Sequence, residues 1–249
     1  MSAESLDFSA ARVLVAGDLL LDRYWHGSTS RISPEAPVPV VRIGEEQVRP
    51  GGAGNVAGNI AALGVVVELV AAVGDDDNGR VLARLLDDAG VRCRLHVLAG
   101  RATIVKLRVV SQHQQLIRLD FEEADARVPA AAIGDLVRQG LGVCNVMVLS
   151  DYAKGTLADP AGLIDAATAA GMTTVVDPKG GDFRRYRGAT VLTPNLREFE
   201  AVAGRCADEA ALAERAANLV TDLSLGALLV TRGEAGMMLL ERDRPAVHM

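Results

Sequence analysis

Along the 249 residues, short apolar runs alternate with longer stretches whose apolar positions recur at helical spacing. Arg12-Val-Leu-Val-Ala16 is such a run, closed by Gly17-Asp18, the pattern of a strand buried in a parallel sheet. Val65 to Val73 reads as a second strand and leads into a helix over Asp75 to Ala89, where Leu82, Leu85, Leu86 and Ala89 share one face. A helix over 129–142 precedes a strand from Asn145 to Leu149. A helix over Pro160 to Ala170, with Gly171 as its C-cap, precedes Thr173 to Val176. Thr190 to Leu192, a helix over Asp208 to Leu223 and a strand from Leu225 to Val230 continue the series, and Met237 to Met249 reads as an antiparallel hairpin. Repeated βα units with buried strands predict an α/β fold: a mainly parallel sheet with helices on both faces.

Two excursions interrupt this series. Trp25 to Arg49 does not fit a helix; Ser33 to Ile43 is punctuated by prolines and then alternates, as an edge or outlying strand would. Thr103 to Val110 and Leu116 to Phe121 also alternate, around Ser111-Gln112-His113-Gln114. Alternation implies one buried and one exposed face. The segments 26–48 and 96–121 are therefore expected to form a small antiparallel sheet, inserted in a core made of 10–25, 49–95 and 122–249. Such a sheet suits a lid, and its exposed apolar face suits a homodimer contact.

Composition narrows the partners. With 26 Lys+Arg against 32 Asp+Glu the net charge is -6, a poor match for nucleic acid or an anionic membrane. A phosphorylated substrate would need a local cluster of cations. Cys93, Cys144 and Cys206 are odd in number, without Cys-x-x-Cys, and read as reduced cytosolic thiols. The four histidines lack metal-ligand spacing. Met1 to Ala11 has no apolar core of a signal peptide, and the apolar runs, broken by Asp18, Asp22 or Glu68, fall short of a membrane span. A soluble cytoplasmic protein is expected.

The chemistry centres on Pro50-Gly51-Gly52-Ala53-Gly54-Asn55-Val56-Ala57-Gly58. This reads as a loop feeding a helix from Ala57 to Leu63, with glycines that permit positive φ and close approach of a ligand. The free N–H groups of a helix start suit an anion or a hydroxyl-rich ligand. Asn55 is either an N-cap on a tight turn or an amide offered to a substrate. Asp18 and Asp22 follow the first strand, where open α/β sheets bind ligands; the alternative is a turn-former and a solvated charge.

Four further strand ends carry polar residues: Ser150-Asp151-Tyr152-Ala153-Lys154-Gly155, Asp177-Pro178-Lys179-Gly180, Thr193-Pro194-Asn195-Leu196-Arg197-Glu198 and Thr231-Arg232-Gly233-Glu234-Ala235-Gly236. In a parallel sheet these ends converge on one crevice. Asn195 and Glu198 share one face of a first helical turn, either as a capping box or as oxygen ligands for hydrated Mg²⁺ and phosphate. Lys179 beside two glycines suits a phosphate. Lys106, Arg108 and Arg118 alternate with apolar residues on the second excursion; they form a solvated face or, turned into the crevice, the cations a sugar phosphate needs. Neither a Gly-x-Gly-x-x-Gly after the first strand, nor a P-loop, nor a Gly-x-Ser-x-Gly occurs.

Gly51-Gly52-x-x-Asn55-x-Ala57 followed by Gly64 and Gly74 resembles the first signature of the ribokinase-type (PfkB) sugar kinases. Six stretches, from Gly17-Asp-Leu-Leu-Leu-Asp-Arg-Tyr-Trp and Ser30-Arg-Ile-Ser-Pro-Glu-Ala-Pro through Gln115-Leu-Ile-Arg-Leu-Asp-Phe-Glu-Glu and Leu149-Ser-Asp-Tyr-Ala-Lys-Gly to Asp177-Pro-Lys-Gly and Leu192-Thr-Pro-Asn-Leu, look like the kinase domain of the bacterial heptose-7-phosphate kinases. The resemblance implies a ribokinase-like three-layer fold with a β lid, and phosphoryl transfer from ATP, with Mg²⁺, to the anomeric hydroxyl of D-glycero-β-D-manno-heptose 7-phosphate. It implies sugar contacts from Asp18, Asp22, Gly51, Gly52, Asn55, Lys106, Arg118 and Asp151. It implies ATP and phosphate contacts from Lys179, Asn195, Leu196, Arg197, Glu198, Thr231, Arg232, Gly233 and Gly236, with Asn195 and Glu198 holding the metal through water.

Relatives of this kind place their base aspartate in a Gly-Ala-Gly-Asp loop. That motif is not among these residues and is expected beyond Met249, so no catalytic base is assigned here. Turnover by this piece alone is expected to be slight and its stability low, with apolar core surface left exposed. Some relatives also carry an adenylyltransferase domain downstream. The alternative reading is a non-catalytic sugar- or nucleotide-binding module of the same fold.

Overall fold

The computed structural model describes residues 7–112, 114–123 and 127–249. The signal-peptide reading of Met1 to Ala11 and the His113 of the 111–114 turn fall, respectively, largely and wholly outside that set. A nine-stranded sheet forms the centre, built from β1 (Arg12–Gly17), β4 (Val66–Gly74), β5 (Arg92–Leu98), β8 (Val146–Ser150), β9 (Thr173–Asp177), β10 (Val191–Leu192), β11 (Ala227–Thr231), β12 (Met237–Glu241) and β13 (Val247–His248). Its order is β13-β12-β11-β10-β9-β8-β1-β4-β5, with every pairing parallel except those of β12 with β11 and β13. The helices are α1 (Ala53–Ala62), α2 (Asp77–Asp88), α3 (Ala130–Gly140), α4 (Pro160–Ala169), α5 (Leu196–Ala203) and α6 (Glu209–Asp222).

The strand residues that alternate inward divide the core. Leu14, Met147, Leu149, Val176, Leu228 and Val230 pack beneath helices that include α3, α4 and α6. Val13, Val15, Val67, Leu69, Leu82 and Leu86 form the second layer with α1 and α2. On that second side Val148, Val175, Val191, Leu229 and Leu239 stay only half-buried. A parallel sheet ordinarily buries both faces.

Register sets the position of the site. Gly17 pairs with Ser150, Ser150 with Asp177, and Leu192 with both Val176 and Leu228. The carboxyl ends of five strands therefore line up, and the polar turns after them share one edge, as the βα pattern predicts.

The second sheet, ordered β3-β2-β6-β7, comprises β2 (Leu19–Ile32), β3 (Pro39–Gly52), β6 (Val105–Ser111) and β7 (Gln114–Phe121). Two antiparallel hairpins meet through a parallel β2–β6 pair. Its strands begin earlier and run further than 26–48, and His96 lies in β5 of the main sheet, paired with Ala72.

The expected 50–56 loop is replaced by continuous structure. Pro50, Gly51 and Gly52 close β3, and α1 starts at Ala53 rather than Ala57. The proline is tolerated because β3 is an edge strand and needs no further N–H donor. Gly52, at φ 59°, makes the turn, and a Cβ there would sit 2.2 Å from the Asp18 carbonyl oxygen. Ala53 N–H donates to that same oxygen at 2.9 Å. The N-cap of α1 is Gly52, without a side-chain cap, so Asn55 is an exposed first-turn residue and not the cap. Gly52→Ala is expected to lower unfolding free energy by about 2–4 kcal/mol, from left-handed strain plus the carbonyl clash, as read by urea denaturation. An unchanged midpoint would contradict this close approach.

Candidate active site

Asp18 and Asp151, both expected to meet the sugar, build the frame instead. Asp18 is 1% exposed. Its Oδ2 accepts the N–H groups of Tyr152 (2.8 Å) and Lys154 (2.9 Å), and its Oδ1 that of Thr156 (2.9 Å). Asp151 is 3% exposed, accepting from Ala153 N–H and, at 2.7 Å, from the Tyr186 hydroxyl. Tyr186 in turn accepts the Lys179 N–H at 3.2 Å. Carboxylates that accept several hydrogen bonds inside the protein fix backbone rather than solvent-borne ligands.

Asp22 remains a sugar-facing candidate. It lies on the polar face of the second sheet, ion-paired with Arg108 at 2.5 Å. Gly51 sits directly opposite this carboxylate; a Cβ at 51 would lie 2.3 Å from Asp22 Oδ2. Glycine 51 thus makes room for the acid, a role the sequence reading gave to a ligand. Lys106 shares this face, placed between Asp22 and Asp120 by register. Arg118 binds Asp120 through two bonds, 2.9 and 3.1 Å, so its fork is already filled.

At the edge of the main sheet, Lys179 Nζ meets Glu198 Oε1 at 2.7 Å. Asn195 and Glu198 form a reciprocal capping box: Asn195 Oδ1 accepts Glu198 N–H (3.0 Å) and Glu198 Oε2 accepts Asn195 N–H (3.2 Å). The structural alternative is therefore realised, and the carboxylate still faces the lysine. Asp177, absent from the expected site, stands beside this pair. Burial, then the negative Glu198, push its carboxyl up to about 6. Among the described residues no group of three His, Cys, Asp or Glu could hold a metal alone. Asp177, Glu198 and Asn195 offer the oxygen donors that a hydrated divalent ion takes, with the Glu198 and Asn195 oxygens also accepting from Lys179 and the capping-box N–H groups.

Thr231 bridges to Asn195, and its N–H donates to the Pro194 carbonyl at 3.0 Å, which places the 231–236 turn beside the capping box. Gly233 (φ 60°) and Gly236 (φ 81°) shape that turn. Arg232 points to Glu209 of α6 at 3.0 Å and lies 3.4 Å from His248 Nδ1, so its charge is engaged away from the edge. Leu196 packs against the core and Arg197 is exposed.

Tyr152, whose N–H is held by Asp18, follows the Asp151 strand end. Its phenol is shifted upward first by burial, then by Asp177 and by Asp22, with Lys179 opposing. One ring thus feels the acid of the second sheet and the charges at the sheet edge, and the signal for it was its place directly after the Asp151 strand end.

A model of the pfkB family of carbohydrate kinases matches residues 10–248. The chain is 60% identical over 242 residues to the bifunctional protein HldE of Halorhodospira halophila, covering 97% of this chain and 51% of that protein. It is 53% identical over 243 residues to HldE of Klebsiella pneumoniae strain 342, covering 98% and 51%. The chain thus spans about half the length of these relatives. Among solved structures, phosphofructokinase-2 from Escherichia coli in complex with fructose-6-phosphate aligns with TM-score 0.77 at 21% identity, covering 96% of this chain and 79% of the other. Arabidopsis thaliana ribokinase complexed with ribose and ATP aligns with TM-score 0.74 at 17% identity, covering 96% and 77%. At these identities the structures speak to the fold alone, and that fold is ribokinase-like.

The raised Asp177 generates a stability prediction. A carboxyl that titrates higher when folded holds its proton longer in the native state, so its ionisation removes stability as pH rises from about 4 to about 6. Asp177→Asn, without metal or nucleotide, is expected to stabilise at pH 8 by on the order of 1 kcal/mol after screening, and by nothing at pH 4. Denaturation midpoints across that range check it; a gain that does not vary with pH would count against the assignment.

Proposed function

The chain belongs to the pfkB family of carbohydrate kinases, and from that premise we propose that it is the kinase part of a heptose-phosphate kinase. In this reading phosphate passes from ATP to the anomeric hydroxyl of D-glycero-β-D-manno-heptose 7-phosphate, giving the 1,7-bisphosphate on the route to ADP-heptose. The observation that carries it is an acid on the second sheet, Asp22 over Gly51, together with an edge cluster of Lys179 and Glu198 at the aligned carboxyl ends of the strands. The identity to HldE proteins supports the heptose specificity.

Kinases of this family use ATP and Mg²⁺. Here Asp177, Glu198 and Asn195 would hold the hydrated ion, which supplies charge neutralisation for the phosphates. Lys179 holds its ammonium at the same edge for a phosphoryl oxygen, while Asp22 and the exposed amide of Asn55 orient the sugar hydroxyls. Phosphoryl transfer needs mainly this positioning and charge.

A homodimer through the second sheet belongs to the same proposal. Ile117, Leu119 and Phe121 are exposed on its apolar face, beside a 300 Å³ hollow lined by Trp25, Leu107 and Phe121. Sedimentation is expected to show a dimer that Phe121→Asp converts to monomer; an unaltered sedimentation coefficient would remove this contact. Among the described residues no helix is long and apolar enough to cross a membrane, and half-buried reduced thiols fit a cytoplasmic setting.

Calorimetry separates the two ligand sides. Asp22→Asn is expected to weaken heptose 7-phosphate about 10- to 100-fold and leave MgATP affinity intact; Glu198→Gln is expected to weaken MgATP about tenfold and spare the sugar. Both substitutions weakening the same ligand, or neither acting, would contradict the division.

A further inference from the structure

On the polar face of the second sheet, register builds two rows of side chains. Arg49, Asp22, Lys106 and Asp120 stand side by side across β3, β2, β6 and β7. In the next row stand Gln47, Tyr24, Arg108 and Arg118. Strand alternation puts all eight on one face. Four cations against two acids leave these two rows with two positive charges in excess, on a chain whose net charge is -6.

The four cations are not equivalent. Arg108 is tied to Asp22, and Arg118 to Asp120. Among the described residues neither Arg49 nor Lys106 has a carboxylate within 4.0 Å. Lys106 lies between two acids in its row, which offset its charge. Arg49 closes the row with one acidic neighbour. Its guanidinium bonds only Gln47 Oε1, at 3.0 Å, and rests over the Tyr24 ring with its carbon 5.7 Å from the centroid. The Arg108 guanidinium shares that ring at 5.3 Å. Stacking on an aromatic face orients a guanidinium without using up its donors, so the fork stays open for a planar pair of oxygens. Arg49 is exposed, which gives it no evident part in holding the fold.

We propose that Arg49, seated on Tyr24, binds the phosphate already carried by the sugar substrate and gives the site its preference for a phosphorylated over a free sugar. The proposal rests on the sugar-phosphate kinase reading. Asp22 lies two residues before Tyr24, so a sugar held at Asp22 extends roughly 7 Å along the strand to reach the Tyr24 row. That row lies on the side away from the main-sheet edge. The hydroxyl to be phosphorylated therefore faces Lys179 and Glu198, and the existing phosphate lies at the opposite end of the sugar, as a substrate phosphorylated at one terminus and reacting at the other requires. Arg49 supplies both the charge and the two-pronged geometry for this anion.

The test is calorimetric, with the 249-residue chain and three probes: heptose 7-phosphate, the free heptose, and fructose 6-phosphate. Arg49→Ala is expected to weaken heptose 7-phosphate roughly 10- to 100-fold while the free heptose binds as in the unaltered chain, so that the preference for the phosphorylated sugar collapses. Arg49→Lys keeps the charge without the fork and should recover part of the loss. If Arg49→Ala weakens both heptoses equally, or neither, the inference is overturned although the heptose reading stands. If the unaltered chain prefers fructose 6-phosphate and Arg49→Ala abolishes that preference, the inference stands and the heptose reading falls.

Discussion

Both oxygens of the Asp18 carboxylate receive backbone N–H groups from residues 152–156, while its carbonyl holds the first N–H of α1. One residue at the end of β1 thereby fastens two segments distant in sequence. The 152–156 turn cannot satisfy these N–H groups in a regular ladder, since Ala153 (φ 55°) and Gly155 (φ 100°) bend the chain back on itself. A buried carboxylate with three donors is the local solution. Because Gly52 must lie against the Asp18 carbonyl, the same contact fixes where β3 ends, and with it the stations of Gly51 and Asn55. The end of β3 and the start of α1 are thus held to the main sheet through a few short hydrogen bonds.

Electrostatics then divides the labour around that frame. An acidic chain would repel ATP and a sugar phosphate if charge were spread evenly. Instead the anions are concentrated where a cation answers them: Asp22 by Arg108, Glu198 by Lys179, and Asp120 by Arg118. Asp177 is the exception: burial first, and then the like charge of Glu198, raise its carboxyl.

The sequence made much of this legible. The βα alternation, the two excursions and the convergence of polar strand ends follow from hydrophobic period alone, and the parallel register confirms the shared edge. Pro50-Gly51-Gly52 misled because composition reports intrinsic preference, whereas edge position and the Asp22 carboxylate decided the conformation. Gly54 lies in the helix for a similar reason: Leu19 Cδ1 would be 2.6 Å from a Cβ there. Asp18 and Asp151 looked like ligand residues since an acid after a strand can point outward or fold back. Only the turn at 153–155 settles which. Arg49 went unseen because its seat, Tyr24, is brought to it by a hairpin whose register shifts twice, between His26 and Gly27 and between Thr29 and Arg31.

The proposed function depends on one cleft taking both ligands, with the polar face of the second sheet on one side and the Lys179–Glu198 edge on the other. The direct measurement is a crystal structure with heptose 7-phosphate and a non-hydrolysable MgATP analogue bound together. The account predicts the anomeric oxygen about 3–4 Å from the terminal phosphorus, with Tyr152 beside both. Ligands lodged apart, with the sugar on the apolar face around Trp25 and Phe121, would contradict it.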